Sequence, residues 1–313
     1  MIISLIIPCF NEEKAIEPLY RELCNVSDSM SSKYGVGFEF LLVNDGSTDR
    51  TLAMLRDLSQ KDERVHYISF SRNFGKEASI YAGLQNCIGD YVAVMDADLQ
   101  DPPALLAKMY EGIVNEGYDC VTARRVSRKG EPKIRSLFAR AFYRIINKIS
   151  KTKIAEGARD FSMMTRQVVQ AILDMPEYNR FSKGINSWVG FETKWLTYEN
   201  IERKSGSSKW SFGKLFIYAI DGIISFSTAP LLIASISGIL LCLIALIIIV
   251  YVVIKTLLYG DPVAGFPTLI CAICFIGGIQ LLCTGILGQY LAKTYMEVKK
   301  RPVYLVKESK LAT

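Results

Sequence analysis

The stretch YVAVMDADLQDPP, residues 91–103, joins the pattern of a buried strand to a pair of carboxylates. Apolar β-formers open it, and Asp96 and Asp98 follow where such a strand leaves the core. Two carboxylates at one point suit a hard divalent cation such as Mg²⁺ or Mn²⁺, which could hold a diphosphate. The alternative is a polar turn capped by Asp101. The two prolines at the end of the stretch predict the start of a helix.

The chain before this stretch contains three similar units, each a predicted strand followed by a polar turn and a helix. Three further strands are predicted at residues 2–7, 38–43 and 65–70. Helices are predicted over about 13–24, over 50–58 and from just after Lys76 to about 83. Ser47 or Thr48 is expected to cap the second of these helices. Strands that alternate with helices predict βαβ units and an α/β fold with a mainly parallel sheet.

Polar clusters follow all four predicted strands, around Asn11, Asp45, Arg72 and Asp96. The carboxyl ends of parallel strands form one edge of a sheet, where ligands bind in open α/β folds. We therefore expect one site built from four loops. The chain lacks both G-x-G-x-x-G and G-x-x-x-x-G-K-[ST], so carboxylates and a metal, without a glycine-rich cradle, would hold a nucleotide.

The C-terminal third has a different composition. Residues 229–254 and 266–291 are almost free of charge, and each is long enough to cross a bilayer as a helix. Basic residues before the first span and after the second predict that both termini are cytoplasmic. We expect a multi-pass protein of the cell membrane with a cytoplasmic domain at 1–210, an interfacial helix at 211–228 and a cytoplasmic tail at 292–313. The chain opens directly on a strand pattern, which predicts no signal peptide.

The histidine content and the distribution of charge limit the classes of reaction and partner to be considered. The chain has one histidine, His66, inside a predicted strand, which argues against Ser-His-Asp hydrolysis and histidine-rich zinc sites. The net charge is +6, and residues 124–153 hold eleven basic residues and one acid. This basic run predicts an amphipathic helix on an anionic membrane surface. An ordinary solvated helix face is an alternative; nucleic acid is not an expected partner, because the membrane spans lie close by.

Four motifs together resemble glycosyltransferase family 2, and within it the polyisoprenyl-phosphate glycosyltransferases. They are PCFNE at 8–12, VNDGSTD at 43–49, SRNFG at 71–75 and DADLQDPP at 96–103. The resemblance implies a GT-A (Rossmann-like) α/β domain followed by a C-terminal two-helix transmembrane hairpin. It implies inverting transfer of one sugar from a nucleotide-sugar to polyprenyl (undecaprenyl) phosphate, with Mg²⁺ or Mn²⁺. The expected donor is UDP-glucose or another UDP-hexose, in preference to a GDP-sugar. A phosphate acceptor is largely dianionic at neutral pH and needs little help from a base.

The residues expected to act fall into four groups. Nucleotide-sugar binding is assigned to Pro8, Asn11, Glu12, Asp45, Arg72, Lys76, Asp96 and Gln100. The catalytic group is Asp98, Asp160 and Arg124. The acceptor or its phosphate would be bound by Arg135, Arg159, Lys183 and Lys209. The metal ligands would be Asp98 and Asp96.

Two other functions stay open on the sequence. One is a glycosyltransferase with a different lipid acceptor, such as a diacylglycerol or ceramide. The other is a catalytically silent membrane protein that binds nucleotide sugars. Homo-oligomerisation through Gly277, Gly278 and Gly285 is a further option. A separate flippase is the expected partner for moving the product across the bilayer.

Overall fold

The computed structural model describes residues 1–125, 158–198, 229–259 and 265–312. The strands are β1 (Ile2–Cys9), β2 (Gly37–Asn44), β3 (Val65–Phe70), β4 (Tyr91–Val94), β5 (Cys120–Arg125), β6 (Ala158–Thr165), β7 (Thr193–Tyr198) and β8 (Val306–Lys310). The helices are α1 (Ile16–Tyr34), α2 (Thr51–Lys61), α3 (Lys76–Asn86), α4 (Leu105–Val114), α5 (Arg166–Leu173), α6 (Ser182–Trp188), α7 (Ala229–Tyr259) and α8 (Phe266–Val298).

One sheet joins all eight strands in the order β7-β5-β6-β4-β1-β2-β3-β8. The four central strands β4, β1, β2 and β3 are parallel, which confirms the predicted βαβ core. Outside that core the sheet is mixed, because β6 runs antiparallel to β4 and β5, and β8 runs antiparallel to β3. The carboxyl ends of the central strands therefore lie side by side, as the polar clusters require.

Side chains of the central strands alternate between two apolar layers. In β1, Ile3 and Leu5 pack in the layer that also holds Leu19 of α1, whereas Ile6 faces the layer that holds Ile80 of α3. All of these side chains are almost completely buried. Burial on both faces explains why the strands read as continuous apolar runs, since a sheet covered on both sides has no polar face.

Helix bounds differ from the predictions at several ends. Helix α1 runs on to Tyr34, far beyond the predicted end, and Gly35 terminates it in the left-handed conformation with φ 67°. Neither Ser47 nor Thr48 caps α2, so that prediction is wrong. The helix begins at Thr51, whose amide donates to Oδ1 of Asp49 at 3.0 Å.

The turn before α4 also departs from expectation. Pro102 and Pro103 lie in this turn and accept through their carbonyls from the amides of Leu105 and Leu106. The helix itself begins at Leu105, two residues after the prolines. Asp101 is buried and forms no side-chain cap on α4, which overturns the capping alternative.

The two C-terminal helices are long and apolar enough to cross a membrane, over Pro230–Ile248 and Phe275–Val298. They extend past the predicted ends at 254 and 291. The segment predicted as a tail continues α8 to Val298 and then adds β8 to the sheet beside β3. The predicted interfacial helix at 211–228 and the basic run beyond residue 125 lie outside the described residues.

Candidate active site

The loops after β1 and β2 are tied to each other by Asn11. Its amide donates to Oγ of Ser47 at 3.0 Å, and its Oδ1 accepts from the amide of Thr48 at 2.8 Å. Asn11 has φ 54°, a left-handed conformation that asparagine tolerates better than most residues. The next residue, Glu12, donates its amide to Oγ1 of Thr51 at 2.9 Å. These contacts tie the first two loops to each other and to the start of α2.

Asp45 joins the second loop to the third. Its Oδ1 accepts from the amide of Phe74 at 2.6 Å, and its Oδ2 accepts from the amide of Gly75 at 3.0 Å. Burial raises the pKa of Asp45 above its usual range, although these two amides and Arg72 oppose that effect. The Arg72 guanidinium lies 4.0 Å from the ring centroid of Phe74. The carboxylate thus shapes the loop that carries Arg72.

Gly46 allows these two loops to approach. A Cβ on this residue would lie 2.4 Å from the carbonyl carbon of Arg72 and 2.6 Å from the nitrogen of Asn73. Its φ of 65° is also left-handed, where side chains are strained. Glycine is therefore required here for two reasons, close backbone contact and backbone conformation.

Lys76, the first residue of α3, brings two distant carboxylates together. Its Nζ lies 2.6 Å from Oδ1 of Asp96 and also donates to Oδ2 of Asp160. Burial alone would lower the pKa of Lys76, but the two carboxylates outweigh it and raise that pKa. Lys76, Asp96 and Asp160 form what we call the lysine cluster, which joins the ends of β4 and β6.

The two carboxylates of the lysine cluster differ. Burial raises the pKa of Asp160, but Lys76 and Lys183 outweigh it and hold the pKa well below its usual range. The pKa of Asp96 lies above its usual range because burial and the charge of Asp160 outweigh the attraction of Lys76. Asp160 is therefore ionised at neutral pH and, with its low pKa, a weak base.

Arg159 is held on the neighbouring side of the site. Its Nε donates to Oδ1 of Asp101 at 3.1 Å, and its Nη2 donates to Oε1 of Gln100 at 3.2 Å. The hydroxyl of Tyr198 donates to the same oxygen of Asp101. Asp101 is 2% exposed, so this carboxylate anchors β6 and β7 to the turn after β4. These protein contacts hold Arg159, which the sequence assigned to the acceptor phosphate.

A cavity of about 200 Å³ opens beside the lysine cluster. Charged side chains of Arg159, Asp160 and Lys183 line it together with apolar ones such as Ile80 and Met164. Lys183 lies in the first turn of α6, so this short helix brings a second cation to Asp160. The cavity therefore combines positive charge with an apolar wall.

Asp96 and Asp98 would fit a divalent metal only if a bound molecule supplied its remaining ligands. Within residues 1–125, 158–198, 229–259 and 265–312, no group of three or more His, Cys, Asp and Glu could hold a metal by itself. Asp98 accepts from the amide of Gln100 at 3.1 Å, and Asp96 already faces Lys76. Mg²⁺ is commonly bound by one or two carboxylates plus substrate phosphates, which this donor set matches.

The structure brings together most of the expected site residues that it describes. Asn11, Glu12 and Asp45 lie at the first loops, while Lys76, Asp96, Asp160 and Lys183 meet at the lysine cluster and its cavity. Pro8 lies in β1 opposite Val43. Arg124 lies in β5 with its side chain exposed, in register with Thr197. Arg135 and Lys209 fall outside the described residues.

Three positioning residues were absent from the predicted set. Asp101 holds Arg159, Tyr198 donates its hydroxyl to Asp101, and Glu77 accepts from the amide of Ser182 at 3.0 Å at the start of α6. Asp101 lies in the stretch 91–103, so a carboxylate close to the site could be read from the sequence. No sequence pattern indicated a role for Tyr198 or Glu77, because their hydrogen-bond partners lie about a hundred residues away in the chain.

A mixed α/β sheet with its polar site at the carboxyl ends of the central strands and a carboxylate pair after β4 is a GT-A-like arrangement, the fold of many glycosyltransferases. Residues 4–173 match the family described as Glycosyl transferase family 2. This chain belongs to that family and is a glycosyltransferase.

Relatives extend the similarity over the whole chain. CsbB of Bacillus subtilis strain 168 is 45% identical over 310 residues, which cover 99% of this chain and 92% of the relative. The prophage bactoprenol glucosyl transferase homolog of Escherichia coli K12 is 41% identical, covering 99% and 100%. The bactoprenol glucosyl transferase of Shigella phage SfII is also 41% identical, covering 99% and 98%. Mannosyl-3-phosphoglycerate synthase from Rubrobacter xylanophilus is 16% identical, covers 71% of this chain and 72% of its own, and superposes with a TM-score of 0.49.

Proposed function

We propose that this protein transfers one glucose from UDP-glucose to a polyprenyl phosphate, undecaprenyl phosphate in bacteria, and inverts the anomeric carbon. The observation that carries the proposal is similarity along 99% of the chain, including both apolar helices, to proteins named bactoprenol glucosyl transferases. The preorganised loops at the strand ends and the cationic cavity beside them support it.

The donor would bind at the loops after β1, β2 and β3. Asn11 and Asp45 hold these loops in place through backbone amides, so little conformational entropy would be lost on binding. Asp98, assisted by Asp96, would hold Mg²⁺ or Mn²⁺ against the diphosphate. The metal would offset negative charge on the leaving group. Arg72 stands on the third loop as a further cation for the donor.

The acceptor would approach from the cavity side. Its phosphate oxygen attacks the anomeric carbon as the bond from that carbon to the diphosphate oxygen breaks, and the nucleoside diphosphate departs with the electron pair. A phosphate monoester has a second pKa near 6, so it is already nucleophilic at neutral pH. Asp160, with its low pKa, is suited to holding Lys76 and Lys183 in place instead of accepting a proton. Lys183 and Arg159 would attract the acceptor phosphate.

The apolar helices would keep the site beside its substrate. A long polyprenyl chain stays in the bilayer, so an enzyme that uses it must work at the surface. Helices α7 and α8 have the length and composition for that anchoring. We propose that the catalytic domain lies on the cytoplasmic side, since basic residues flank the two spans.

The test is incorporation of radiolabelled sugar into extractable lipid by the full-length protein in vesicles. UDP-glucose, other UDP-hexoses and GDP-mannose are each offered with undecaprenyl phosphate, with diacylglycerol and with ceramide, in Mg²⁺, in Mn²⁺ and in chelator. We expect labelling of undecaprenyl phosphate from UDP-glucose that chelator removes. Labelling of diacylglycerol or ceramide alone would replace the acceptor, and nucleotide binding without labelling would indicate a silent binding protein.

A further inference from the structure

The loop between α5 and α6 is held by the end of the second apolar helix. Glu297, in the last turn of α8, accepts from the amide of Tyr178 at 2.9 Å and from the amide of Asn179 at 3.1 Å through Oε1. Its Oε2 also accepts from the amide of Tyr178 at 3.1 Å. A carboxylate on two successive amides makes charge-assisted hydrogen bonds, which are stronger than neutral ones.

The same loop is held at its other end by the catalytic domain. Glu77 accepts through Oε2 from the amide of Ser182 at 3.0 Å and from its hydroxyl. Glu77 follows Lys76 of the lysine cluster, and Lys183 follows Ser182. Two carboxylates, one from α8 and one from α3, therefore hold the short segment that presents Lys183 to the cavity.

The chain beyond α8 contacts a second loop of the site. The carbonyl of Leu305 accepts from the amide of Ser71 at 3.0 Å, and the ring of Tyr304 stacks on Phe70 with centroids 4.9 Å apart. Val303 lines a cavity of about 350 Å³ together with Arg72 and residues 178–180. The end of the apolar hairpin thus touches both the donor-side and the acceptor-side loops.

We propose that Glu297 is a positioning residue that couples the second apolar helix to the acceptor side of the site. By holding residues 178 and 179, it keeps Lys183 at a fixed distance from the membrane surface from which the lipid phosphate arrives. The inference rests on the proposed transfer to a membrane lipid. It predicts that Glu297 matters for an acceptor embedded in the bilayer and matters little for the same headgroup in solution.

The first measurement follows the contact itself in the full-length protein. Hydrogen exchange at the amides of residues 178 and 179 is compared in wild type, Glu297→Gln and Glu297→Asp. Glutamine removes the charge and one acceptor oxygen, so we expect faster exchange at both amides, with partial return of protection in Glu297→Asp. Unchanged exchange in Glu297→Gln would overturn the inference, whatever the activity assays give.

The second measurement separates positioning from a general structural role. With undecaprenyl phosphate in vesicles, we expect Glu297→Gln to lower kcat/KM about tenfold, a typical coupling between sites. The KM for UDP-glucose and the rate with geranyl phosphate, a short soluble acceptor, should stay at wild-type values. An equal loss with both acceptors, or a matching fall in the melting temperature, would show that Glu297 is merely structural.

Glu308→Gln is the matched control. Glu308 is also a carboxylate of the C-terminal segment, and it pairs with Arg56 at 2.6 Å, away from residues 178 and 179. We expect this variant to leave the ratio of vesicle to soluble activity unchanged; the same acceptor-selective loss would overturn the inference. Absence of transfer by wild type to either acceptor would instead refute the proposed function, and the exchange result would still report on the contact.

Discussion

After β1, β2 and β3, the loops of the site are held by hydrogen bonds from backbone amides to side chains, whereas after β4 and near the start of β6 the site is held by ion pairs between side chains. Asp45 accepts from the amides of Phe74 and Gly75, and its pKa is raised by burial. Asp160 is paired with Lys76, and its pKa is lowered despite burial. Hydrogen bonds thus fix the backbone of the first region. In the second region the charges of Lys76 and Asp160 offset each other, and a bound phosphate would change that offset.

The largest effect on activity is expected at Asp98, which follows β4 in the region that ion pairs hold. Asp98→Asn should lower transfer at least about 100-fold, because the leaving diphosphate would lose its metal-bound counter-charge. Raising the Mn²⁺ concentration should not restore the rate, and the thermal midpoint should stay near that of wild type. Wild-type activity in this variant would rule out the metal role of Asp98.

Loss of Lys76 comes next, because it leaves two carboxylates facing each other. The lysine side chain is 41% exposed, so solvent screening reduces the cost below that of a fully buried pair. We expect Lys76→Met to destabilise the fold by about 1–3 kcal/mol and to lower activity strongly. Lys76→Arg keeps the charge and is the control. Denaturant titration and the lipid-labelling assay measure the two effects, and a Lys76→Met variant as stable and active as wild type would refute the lysine cluster.

In the loops after β1, β2 and β3, Gly46→Ala should cost about 2–3 kcal/mol of folding free energy and raise the KM for the donor, because the new Cβ meets the backbone of Arg72. Gly35→Ala is a matched control: its φ of 67° is similar, but a Cβ there has nothing within 4 Å. We expect the control to lose about 1 kcal/mol, from backbone strain alone, with normal kinetics. Equal losses in both variants would contradict the close approach of the two loops.

The smallest effect is a difference in pH dependence between the two carboxylates. The lowered pKa of Asp160 means that its stabilisation is complete above the unfolded value of about 4 and is lost as pH falls through the folded value. The raised pKa of Asp45 means the reverse, a contribution that is lost as pH rises through its folded value.

Thermal unfolding of Asp160→Asn and Asp45→Asn from pH 3 to pH 7 checks both signs. As pH rises, the stability difference should move in favour of wild type for Asp160→Asn and in favour of the variant for Asp45→Asn. We expect changes of about 1 kcal/mol or less, the free energy that corresponds to a shift of about one pKa unit. Parallel curves for the two variants would remove the contrast between the two regions.

Local patterns were sufficient for the parallel core and for the edge that carries the site. The third strand has its predicted bounds, Val65–Phe70, because a short apolar run between polar turns admits few alternatives. The clustering of Asn11, Asp45 and Asp96 at one edge followed from strand alternation alone. The length of α1 was missed, since its second half carries serines and a weaker apolar pattern and is completed by packing on the sheet.

By itself the sequence determined the parallel core, the edge that carries the site, the two apolar helices and, through its motifs, the family. Only the tertiary structure decided which charged and polar groups meet. Lys76 reaches Asp160 across 84 residues, Tyr198 reaches Asp101 across 97, and Glu297 reaches the amide of Tyr178 across 119. Strand periodicity is a pattern between neighbours in the chain, whereas an ion pair or hydrogen bond depends on distance in space. The order of the strands in the sheet determines that distance.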